Sequence, residues 1–318
     1  MKVLVTGGAG FIGSHLCEAL LKRGEKVSVI DDFNDFYDPL LKEENVSRFA
    51  SNSGFKLYRA DIRDRRQVMD CIGTEKPDAV CHIAARAGVR PSIDNPHLYE
   101  EVNCVGTLNI LDAVKKSGIK NFLFASSSSV YGINSKVPFS EDDPVTSPIS
   151  PYAATKRAGE LMAFTHSHLY GLPVTCLRFF TVYGERGRPD MAVAKFTRLI
   201  AEGRGIEVYG DGSARRDFTY VGDIIEGLLN ALYRPFRYEI INLGGSNTIE
   251  VRGLISMIEQ SLGMKAKIRY RDRMPGDVPV TYADISKAEK LIGFKPRVRL
   301  EEGIGRYVKW FLEKERSA

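Results

Sequence analysis

The sequence predicts an α/β protein with a doubly wound parallel sheet and a smaller C-terminal α/β domain. Two observations predict this fold. Short, nearly continuous apolar runs alternate with helical patterns through the first half, and this rhythm ends after about Thr181. Strands that are buried on both faces are apolar throughout, and repeated strand–helix–strand units form parallel sheets through right-handed crossovers. We therefore expect one domain over 1–180, to which 217–245 returns, and a second over 181–318.

The apolar runs and the residues between them place the individual elements. Short apolar segments predict strands at Lys2–Val5, Lys26–Ile30, Lys56–Ala60, Ala79–Ile83, Asn121–Ser126 and Pro173–Phe179. Helical periodicity predicts helices at Ser14–Arg23, about Tyr99–Lys116 and Tyr152–Tyr170. Gly24 follows the first of these helices as a C-cap. The last two helices carry more apolar residues than one buried face requires, which indicates a second contact surface.

Composition excludes several classes of protein. With 43% hydrophobic residues the chain is not disordered, and no apolar run reaches the roughly 18 residues of a membrane span. The N-terminal residues pass directly into a glycine loop, so we expect no signal peptide. Five scattered cysteines without CxxC spacing indicate a reducing compartment, the cytoplasm, and argue against a metal site. The net charge of +5 is mild, and the alternating cations from Lys265 to Arg273 indicate a solvated strand face rather than a nucleic-acid site.

A glycine-rich loop joins the first predicted strand to the first predicted helix. Gly7, Gly10 and Gly13 suit a tight turn, a close approach of the backbone to a pyrophosphate, and close packing of helix on strand. The N-terminus of the helix, with Phe11 and Ile12, then faces the phosphates with a partial positive charge. This strand–loop–helix context predicts a Rossmann dinucleotide-binding site.

Acidic residues after the second and third predicted strands indicate which dinucleotide binds. Asp31 closes the second strand, where a carboxylate takes the hydroxyls of the adenosine ribose. Neither Arg nor Lys stands beside Asp31 and Asp32 in the sequence to accept a 2′-phosphate, so the pattern favours NAD over NADP. Asp61 and Ile62 follow the third strand and are expected to meet the adenine.

A serine, a tyrosine and a lysine form a candidate acid–base site. Tyr152 and Lys156 are four residues apart and project from one face of a helix, and Ser127 lies at the end of a predicted central strand. Oxidation of a hydroxyl to a ketone needs a base, and a free tyrosine, with a pKa of about 10, is too weakly acidic at neutral pH. The ammonium of Lys156 and the positive ring of the cofactor would favour tyrosinate. The serine hydroxyl would hold the reacting oxygen.

These motifs resemble the extended short-chain dehydrogenase/reductase family, and within it the NDP-sugar epimerases and dehydratases. The resemblance is carried by the glycine loop at 7–13, the serine-rich segment at 126–132 and the Tyr152–Lys156 pair, and it runs from Met1 to about Trp310. It implies that Tyr152 is the base, that Lys156 modulates it and binds the cofactor ribose, and that Ser127 lies beside the sugar. It also implies a homodimer, formed through the last two predicted helices as a four-helix bundle.

The second half of the chain carries the candidate substrate residues. Tyr209 and Arg216 lie in a segment that resembles the family's nucleotide segment, where an aromatic ring stacks on the base and an arginine grips the diphosphate. The chemistry agrees, because a guanidinium fork suits phosphate oxygens. By the same resemblance Asp277 binds the nucleotide ribose, and Ser128 and Thr181 contact the substrate.

Three further stretches resemble UDP-glucuronate 4-epimerases: 31–38, 82–90, and 177–184 with 187–192. In the last of them Arg188 is the candidate partner for a C6 carboxylate, since burying such a group requires a cationic and preferably bidentate partner. The sequence departs from this pattern at Arg86, Pro91 and Glu185-Arg186, positions that we expect near the sugar pocket.

The residues favour one reaction among several. Decarboxylases and 4,6-dehydratases of the family carry acidic residues just before Val-Tyr-Gly, where this chain has Ser128 and Ser129. We therefore expect an isomerase, an NAD-dependent UDP-glucuronate 4-epimerase that forms UDP-galacturonate through a transient 4-keto sugar. The alternatives are a UDP-glucose or UDP-N-acetylhexosamine 4-epimerase, which Arg188 opposes, and a UDP-glucuronate decarboxylase. A nucleotide-sensing regulator on the same fold would be expected to have lost Ser127, Tyr152 or Lys156, and all three are present.

Overall fold

The computed structural model describes residues 1–272 and 276–317, so Arg273, the last of the alternating cations, lies outside the described residues. Its strands are β1 (Lys2–Thr6), β2 (Lys26–Asp31), β3 (Phe55–Arg59), β4 (Ala79–His82), β5 (Phe122–Ser127), β6 (Val174–Phe179), β7 (Thr181–Tyr183), β8 (Gly205–Tyr209), β9 (Arg215–Tyr220), β10 (Tyr238–Leu243), β11 (Thr248–Glu250) and β12 (Lys267–Arg271). Its α-helices are α1 (Phe11–Lys22), α2 (Pro39–Ser47), α3 (Arg65–Glu75), α4 (Val89–Asp94), α5 (Pro96–Tyr99), α6 (Gly106–Ser117), α7 (Pro151–Tyr170), α8 (Ala192–Ala201), α9 (Val221–Leu232), α10 (Val251–Leu262), α11 (Ser286–Ile292) and α12 (Leu300–Ser317).

Seven strands form one sheet in the order β10-β6-β5-β4-β1-β2-β3, and every neighbouring pair is parallel. The predicted doubly wound parallel sheet is therefore confirmed. The strand order reverses beside β1, which pairs with β2 on one side and with β4 on the other. In open α/β sheets, ligands bind at such a switch point, outside the carboxyl ends of the strands.

The core consists of two apolar layers, one on each face of this sheet. Val3 and Val5 of β1 belong to the layer that packs on α1 and α9, whereas Leu4 belongs to the layer that packs on α3 and α6. This alternation follows from the two-residue period of a strand. Each layer contains cysteines as well as aliphatic side chains. Cys17 and Cys81 lie in the first layer, and Cys71 and Cys176 in the second.

The remaining strands form two small sheets with their own apolar cluster. β7 and β11 flank β9 in a three-stranded sheet, and β8 pairs with β12 in parallel. Helices α8, α10 and α12 cover them through side chains such as Ile200, Ile255 and Val308. Residues 217–220 belong to β9 of the small sheet, while 238–243 form β10 at the edge of the large sheet.

The helix predicted over about Tyr99–Lys116 is not a single α-helix. It consists of α5, a π-helical segment at Glu100–Val105, and α6. The wider π turn holds Asn103 against a neighbouring loop, where its side-chain amide exchanges two hydrogen bonds with the backbone of Arg86 and donates a third to Thr155 Oγ1. Local periodicity cannot report such a tertiary contact, and π turns recur near functional sites.

Helix α7 begins at Pro151, one residue before the predicted start. Ser150 is its N-cap and accepts a hydrogen bond from the Ala153 amide (3.1 Å), and Pro151 occupies the first position.

Among the helices of the described residues, none combines the length and the apolar character that a membrane crossing requires.

Candidate active site

A cleft of about 670 Å³ lies at the carboxyl ends of β1, β2, β4, β5 and β6. It brings together most of the predicted site residues, and those that line it are Gly7, Gly10, Phe11, Ile12, Gly13, Asp31, Asp61, Ile62, Ser127, Ser128, Tyr152, Lys156, Thr181, Arg188 and Asp277. Tyr209 and Arg216 do not line the cleft. The switch point of the sheet and the cleft therefore coincide, as the topology requires.

The glycine loop forms the floor of this cleft. Gly7 has a φ of +72°, and a Cβ at this position would lie 2.8 Å from the Ala84 amide nitrogen. A Cβ on Gly13 would collide with the Gly7 carbonyl oxygen, and one on Gly8 with Val29. No side chain caps α1, whose N-cap is Gly10, and no acidic residue lies in its first turn. The loop therefore presents a backbone cradle and a helix N-terminus that suit a pyrophosphate.

Asp31 is buried at the end of β2 and organises the loops around it. Its carboxylate accepts hydrogen bonds from the amides of Ala9 and Phe33, both at 3.0 Å. Burial raises the pKa of Asp31, and the positive charge of Lys42 and these two hydrogen bonds oppose the rise. Lys42 is itself buried and donates to the Asn34 carbonyl (2.9 Å). Sequence reasoning missed Lys42, because a lysine on α2 gives no signal that it will face a carboxylate on β2.

Asp61 and Ile62 lie beside Asp31 at the same end of the cleft. Partial burial acts to raise the pKa of Asp61, but hydrogen bonds from the Arg63 guanidinium and backbone outweigh it and lower the pKa. Ile62 packs against α6, where a Cβ on Gly106 would meet its side chain at 2.6 Å. Asp61 and Ile62 thus lie together after β3, where the sequence predicts the binding site of the adenine.

The predicted serine, tyrosine and lysine meet on the opposite wall of the cleft. Ser127 ends β5, and its Oγ lies 3.2 Å from both the hydroxyl and the amide of Ser129. Tyr152 and Lys156 occupy the first two turns of α7. The Lys156 ammonium donates to the Ala125 carbonyl oxygen (2.7 Å), and burial lowers the pKa of Lys156 to about 8.

Arg188 is a second cation that acts on Tyr152. The sequence analysis did not connect these two residues. Burial raises the pKa of Tyr152, whereas the Ser127 hydroxyl and the Arg188 charge lower it. The Arg188 guanidinium is held by a bidentate ion pair with Asp190 (3.0 and 2.7 Å) and lies over the Phe36 ring at 5.2 Å. Both Arg188 and Asp190 line the cleft, so a charged fork faces the space in front of Tyr152.

Two of the predicted nucleotide residues, Tyr209 and Asp277, contact an arginine from α4. The guanidinium of Arg90 lies 4.1 Å from the centre of the Tyr209 ring and forms an ion pair with Asp277 at 2.9 Å. Arg216 donates to the carbonyl oxygens of Arg215 (2.9 Å) and Pro279 (3.4 Å). Arg90 therefore covers the face of Tyr209 that a base would need. Arg90 ends the stretch 82–90, and nothing in that stretch indicates its contacts with Tyr209 and Asp277.

The departures from the resemblance lie mostly outside the lining of the cleft. Arg186 donates to Glu18 of α1 (2.9 Å), and Glu185 accepts from the Tyr220 hydroxyl (2.7 Å). Arg86 has its guanidinium near Asp35 and Phe36. None of these three departures lines the cleft. Pro91 is the one that does.

A glycine-rich dinucleotide-binding loop that shares one cleft with a serine, a tyrosine and a lysine defines the extended short-chain dehydrogenase/reductase class. Within this class the chain belongs to the family whose model is described as GDP-mannose 4,6 dehydratase, which it matches over residues 4–307. The resemblance that the motifs indicated is thus confirmed.

Individual relatives are similar over almost the whole chain. The UDP-glucuronate 4-epimerase of Thermodesulfobacterium geofontis is 46% identical over 311 residues, which cover 98% of this chain and 96% of that protein. The crystal structure of UDP-glucuronic acid 4-epimerase from Bacillus cereus, in complex with UDP-glucuronic acid and NAD, is 38% identical with a TM-score of 0.93, covering 99% of this chain and all of that one. The UDP-glucose 4-epimerase of Thermus thermophilus, in complex with NAD, is 34% identical with a TM-score of 0.90, covering 98% and 99%.

Proposed function

We propose that this protein is an NAD-dependent UDP-glucuronate 4-epimerase, which interconverts UDP-glucuronate and UDP-galacturonate through a transient 4-keto sugar. One observation carries the proposal: the Arg188 guanidinium lines the same cleft as Tyr152, Lys156 and Ser127. A neutral C6 hydroxymethyl group has no need of a buried cation, whereas a C6 carboxylate does. The similarity to UDP-glucuronate 4-epimerases over nearly the full chain supports the same substrate.

The cleft fits NAD. The absence of Cβ atoms on Gly7 and Gly13 lets the loop pack closely against Ala84 and against itself, and the uncapped start of α1 offers amide donors to a pyrophosphate. We assign the adenosine ribose to Asp31, the adenine to Asp61 and Ile62, and the second ribose to Lys156. When bound, NAD supplies reversible acceptance of the hydride from C4 of the sugar.

The proposed substrate site extends across both parts of the fold. We assign the dinucleotide to 1–180 with 217–245, and the UDP-sugar mainly to 181–318. The base would stack on Tyr209 after Arg90 leaves its ring, and the freed guanidinium would join Arg216 near the diphosphate. Asp277, then released from its ion pair, is available to the nucleotide ribose. These roles follow from the chemistry of the side chains and the geometry of the Arg90 contacts.

Tyr152 is the proposed base. As tyrosinate it takes the proton of the C4 hydroxyl, and it returns this proton after the keto sugar has turned over in the cleft. Ser127 holds the C4 oxygen through its hydroxyl, which also lowers the pKa of Tyr152. Lys156, fixed by the Ala125 carbonyl, keeps a positive charge close to the phenol. Burial alone would keep Tyr152 protonated, so these groups are needed to make it a base near neutral pH.

The same cleft favours epimerisation over decarboxylation. The 4-keto intermediate is a β-keto acid, which loses CO2 readily once its carboxylate is free to align with the carbonyl π system. We propose that Arg188 holds this carboxylate off that alignment, and that Ser128 and Thr181 contact the sugar beside it. Ser128 and Ser129 stand where related dehydratases and decarboxylases carry acidic residues, so these two positions supply no carboxyl group.

The function is tested by incubating purified protein with UDP-glucuronate and no added dinucleotide. We expect UDP-galacturonate to form, because the reaction is redox-neutral and the cofactor remains bound. Protein denatured after purification should release NAD(H) in near-stoichiometric amount. Conversion of UDP-glucose alone would instead favour the UDP-glucose 4-epimerase, and a pentose product would favour the decarboxylase. Released NADP would contradict the role of Asp31.

We also infer a cytoplasmic homodimer. Large apolar side chains lie exposed on the two helices implicated by sequence, including Leu108 of α6 and Leu161 and Phe164 of α7, each exposed by more than two fifths. Exposed apolar surface of this kind is typical of an interface, and five free buried cysteines suit a reducing compartment.

Light scattering should therefore give about twice the mass of one chain, and Leu161→Lys should reduce it to that of a monomer. The matched control is Leu40→Lys, which places the same charge on an exposed leucine of α2. A monomeric wild type, or a dimer that survives Leu161→Lys unchanged, contradicts this interface.

A further inference from the structure

A fully buried ion pair lies directly behind the proposed catalytic residues. Glu160 of α7 and Arg178 of β6 are 0% and 1% exposed at their side chains, and they meet through two parallel hydrogen bonds of 2.8 and 2.9 Å. Arg157 donates a further hydrogen bond to the same carboxylate at 2.9 Å. Burial acts to raise the pKa of Glu160, but the hydrogen bonds and positive charge of Arg178 outweigh it and lower the pKa, so the carboxylate is ionised at neutral pH.

Glu160 connects the elements that carry all three catalytic candidates. It lies one turn after Lys156 and two turns after Tyr152, on the same face of α7. Its carboxylate accepts a hydrogen bond of 2.6 Å from Ser126, the residue that precedes Ser127 on β5. The Glu160 side chain therefore links α7, which carries Tyr152 and Lys156, to the end of β5, which carries Ser127.

Stability alone is a poor reason for this arrangement. Replacing a buried ion pair by apolar residues of similar volume is often neutral or stabilising, because two desolvated charges scarcely recover their hydration energy. Here the cost is larger, since Nη1 of Arg178 is buried without a hydrogen-bond partner among the described residues. A charge retained at such a position points to a role in the neighbouring chemistry.

We propose that Glu160 is a positioning residue of the proposed epimerase site, which sets the geometry between Ser127, Tyr152 and Lys156 and keeps Lys156 in its cationic form. This inference rests on the proposed function for the role of those three residues. The inference goes beyond the proposed function because Glu160 does not line the cleft and would act only through the three residues that do.

The surroundings of Lys156 support the charge part of the proposal. Burial lowers the pKa of Lys156 to about 8, and Cys104 and Glu160 oppose this. Burial raises the pKa of the Cys104 thiol, from the π-helical segment, to about 12 and lowers the pKa of His82, from β4, to about 3, so both are neutral near pH 7. Tyr152, on the same helix, has a raised pKa. Glu160 is thus the group acting on Lys156 that is negative at neutral pH, and its loss lowers the pKa of Lys156 further.

The deciding variant is the double substitution Glu160→Leu with Arg178→Met. Glu160→Gln alone would leave Arg178 buried without its counter-charge, which is strongly destabilising and endangers the fold. The double variant removes both charges and should fold with a thermal midpoint close to that of the wild type. We expect its kcat on UDP-glucuronate to fall about 100-fold, since small misplacements in a catalytic site have effects of this size. The alkaline limb of its pH profile should move to lower pH.

Two further variants separate charge from geometry. Glu160→Asp keeps the charge and shortens the side chain, so the alkaline limb should stay in place while kcat falls. Arg157→Ala removes only the partly exposed partner of the same carboxylate and is the matched control, with kcat and pH profile unchanged.

Titration of Lys156 by NMR of ¹⁵N-lysine-labelled protein gives a readout that needs no substrate. Its midpoint should be lower in the double variant than in the wild type. A folded double variant with wild-type kcat and pH profile, or an unchanged Lys156 midpoint, overturns the proposal. A wild type that does not epimerise UDP-glucuronate defeats the proposed function instead, and the titration still decides the part of the inference that concerns Lys156.

Discussion

Tyr152→Phe should bind UDP-glucuronate about as tightly as the wild type and lose its turnover almost completely. The substitution removes one hydroxyl and leaves the ring in its edge-on contact with Tyr99, at 6.2 Å between ring centres. Because that hydroxyl is the proposed base, the loss of kcat should reach about 10³-fold or more, within the range of general acid–base catalysis and its combination with charge stabilisation. Binding measured by calorimetry, and turnover measured by separation of the two epimers, test the two halves of this expectation.

Tyr99→Phe is the matched control for this loss. Its hydroxyl donates to the Ala87 carbonyl oxygen at 2.7 Å and touches no proposed reacting group. We expect turnover within about tenfold of the wild type, since a single neutral hydrogen bond contributes about 1 kcal/mol. A Tyr152→Phe variant that still epimerises within tenfold of the wild type would show that another group is the base.

Arg188→Ala should discriminate between two substrates. A charge-assisted hydrogen bond contributes about 1.5–3 kcal/mol, and an unpaired buried carboxylate costs more. The variant should therefore lose at least about tenfold in kcat/KM for UDP-glucuronate, and considerably less for UDP-glucose. Any residual turnover of UDP-glucuronate should yield a larger share of the decarboxylated pentose.

The structure adds a reason to compare substrates rather than to measure one. Arg188 also lowers the pKa of Tyr152, so its removal should raise that pKa and leave less tyrosinate at neutral pH for both substrates equally. The ratio of the two kcat/KM values cancels this common effect and isolates the contact with the carboxylate. Asp190→Asn, which weakens the ion pair but keeps the guanidinium, is the matched control and should preserve the ratio. An unchanged ratio in Arg188→Ala excludes the carboxylate role.

Most of the fold and the core of the site were predictable from short-range patterns. The glycine loop, Asp31 and the Tyr152–Lys156 pair each depend on a spacing within one strand–loop–helix unit or one helix, and apolar runs identify strands that are buried on both faces. Their meeting at one cleft then follows from the topology of a parallel sheet.

What could not be predicted depends on contacts between residues far apart in the chain. Arg90 covers Tyr209 only because the fold brings the side chains of α4 and β8 together, and Lys42 faces Asp31 only because α2 packs beside the glycine loop. Arg186 is expected near the sugar pocket from its position in the sequence, yet its guanidinium donates a hydrogen bond to Glu18 on α1. Spacing along the chain carries no information about such partners.

The distribution of cysteines through the two core layers has a consequence for measurement. Burial raises the pKa of all five thiols, so in the folded protein they are protonated and shielded from reagents. Labelling must therefore wait for the surrounding structure to open. Cys17 and Cys81 would report the opening of the face under α1 and α9, and Cys71 and Cys176 that of the face under α3 and α6. Without any engineered cysteine, the rates of alkylation at these four sites would show whether the two faces of the sheet open together or separately.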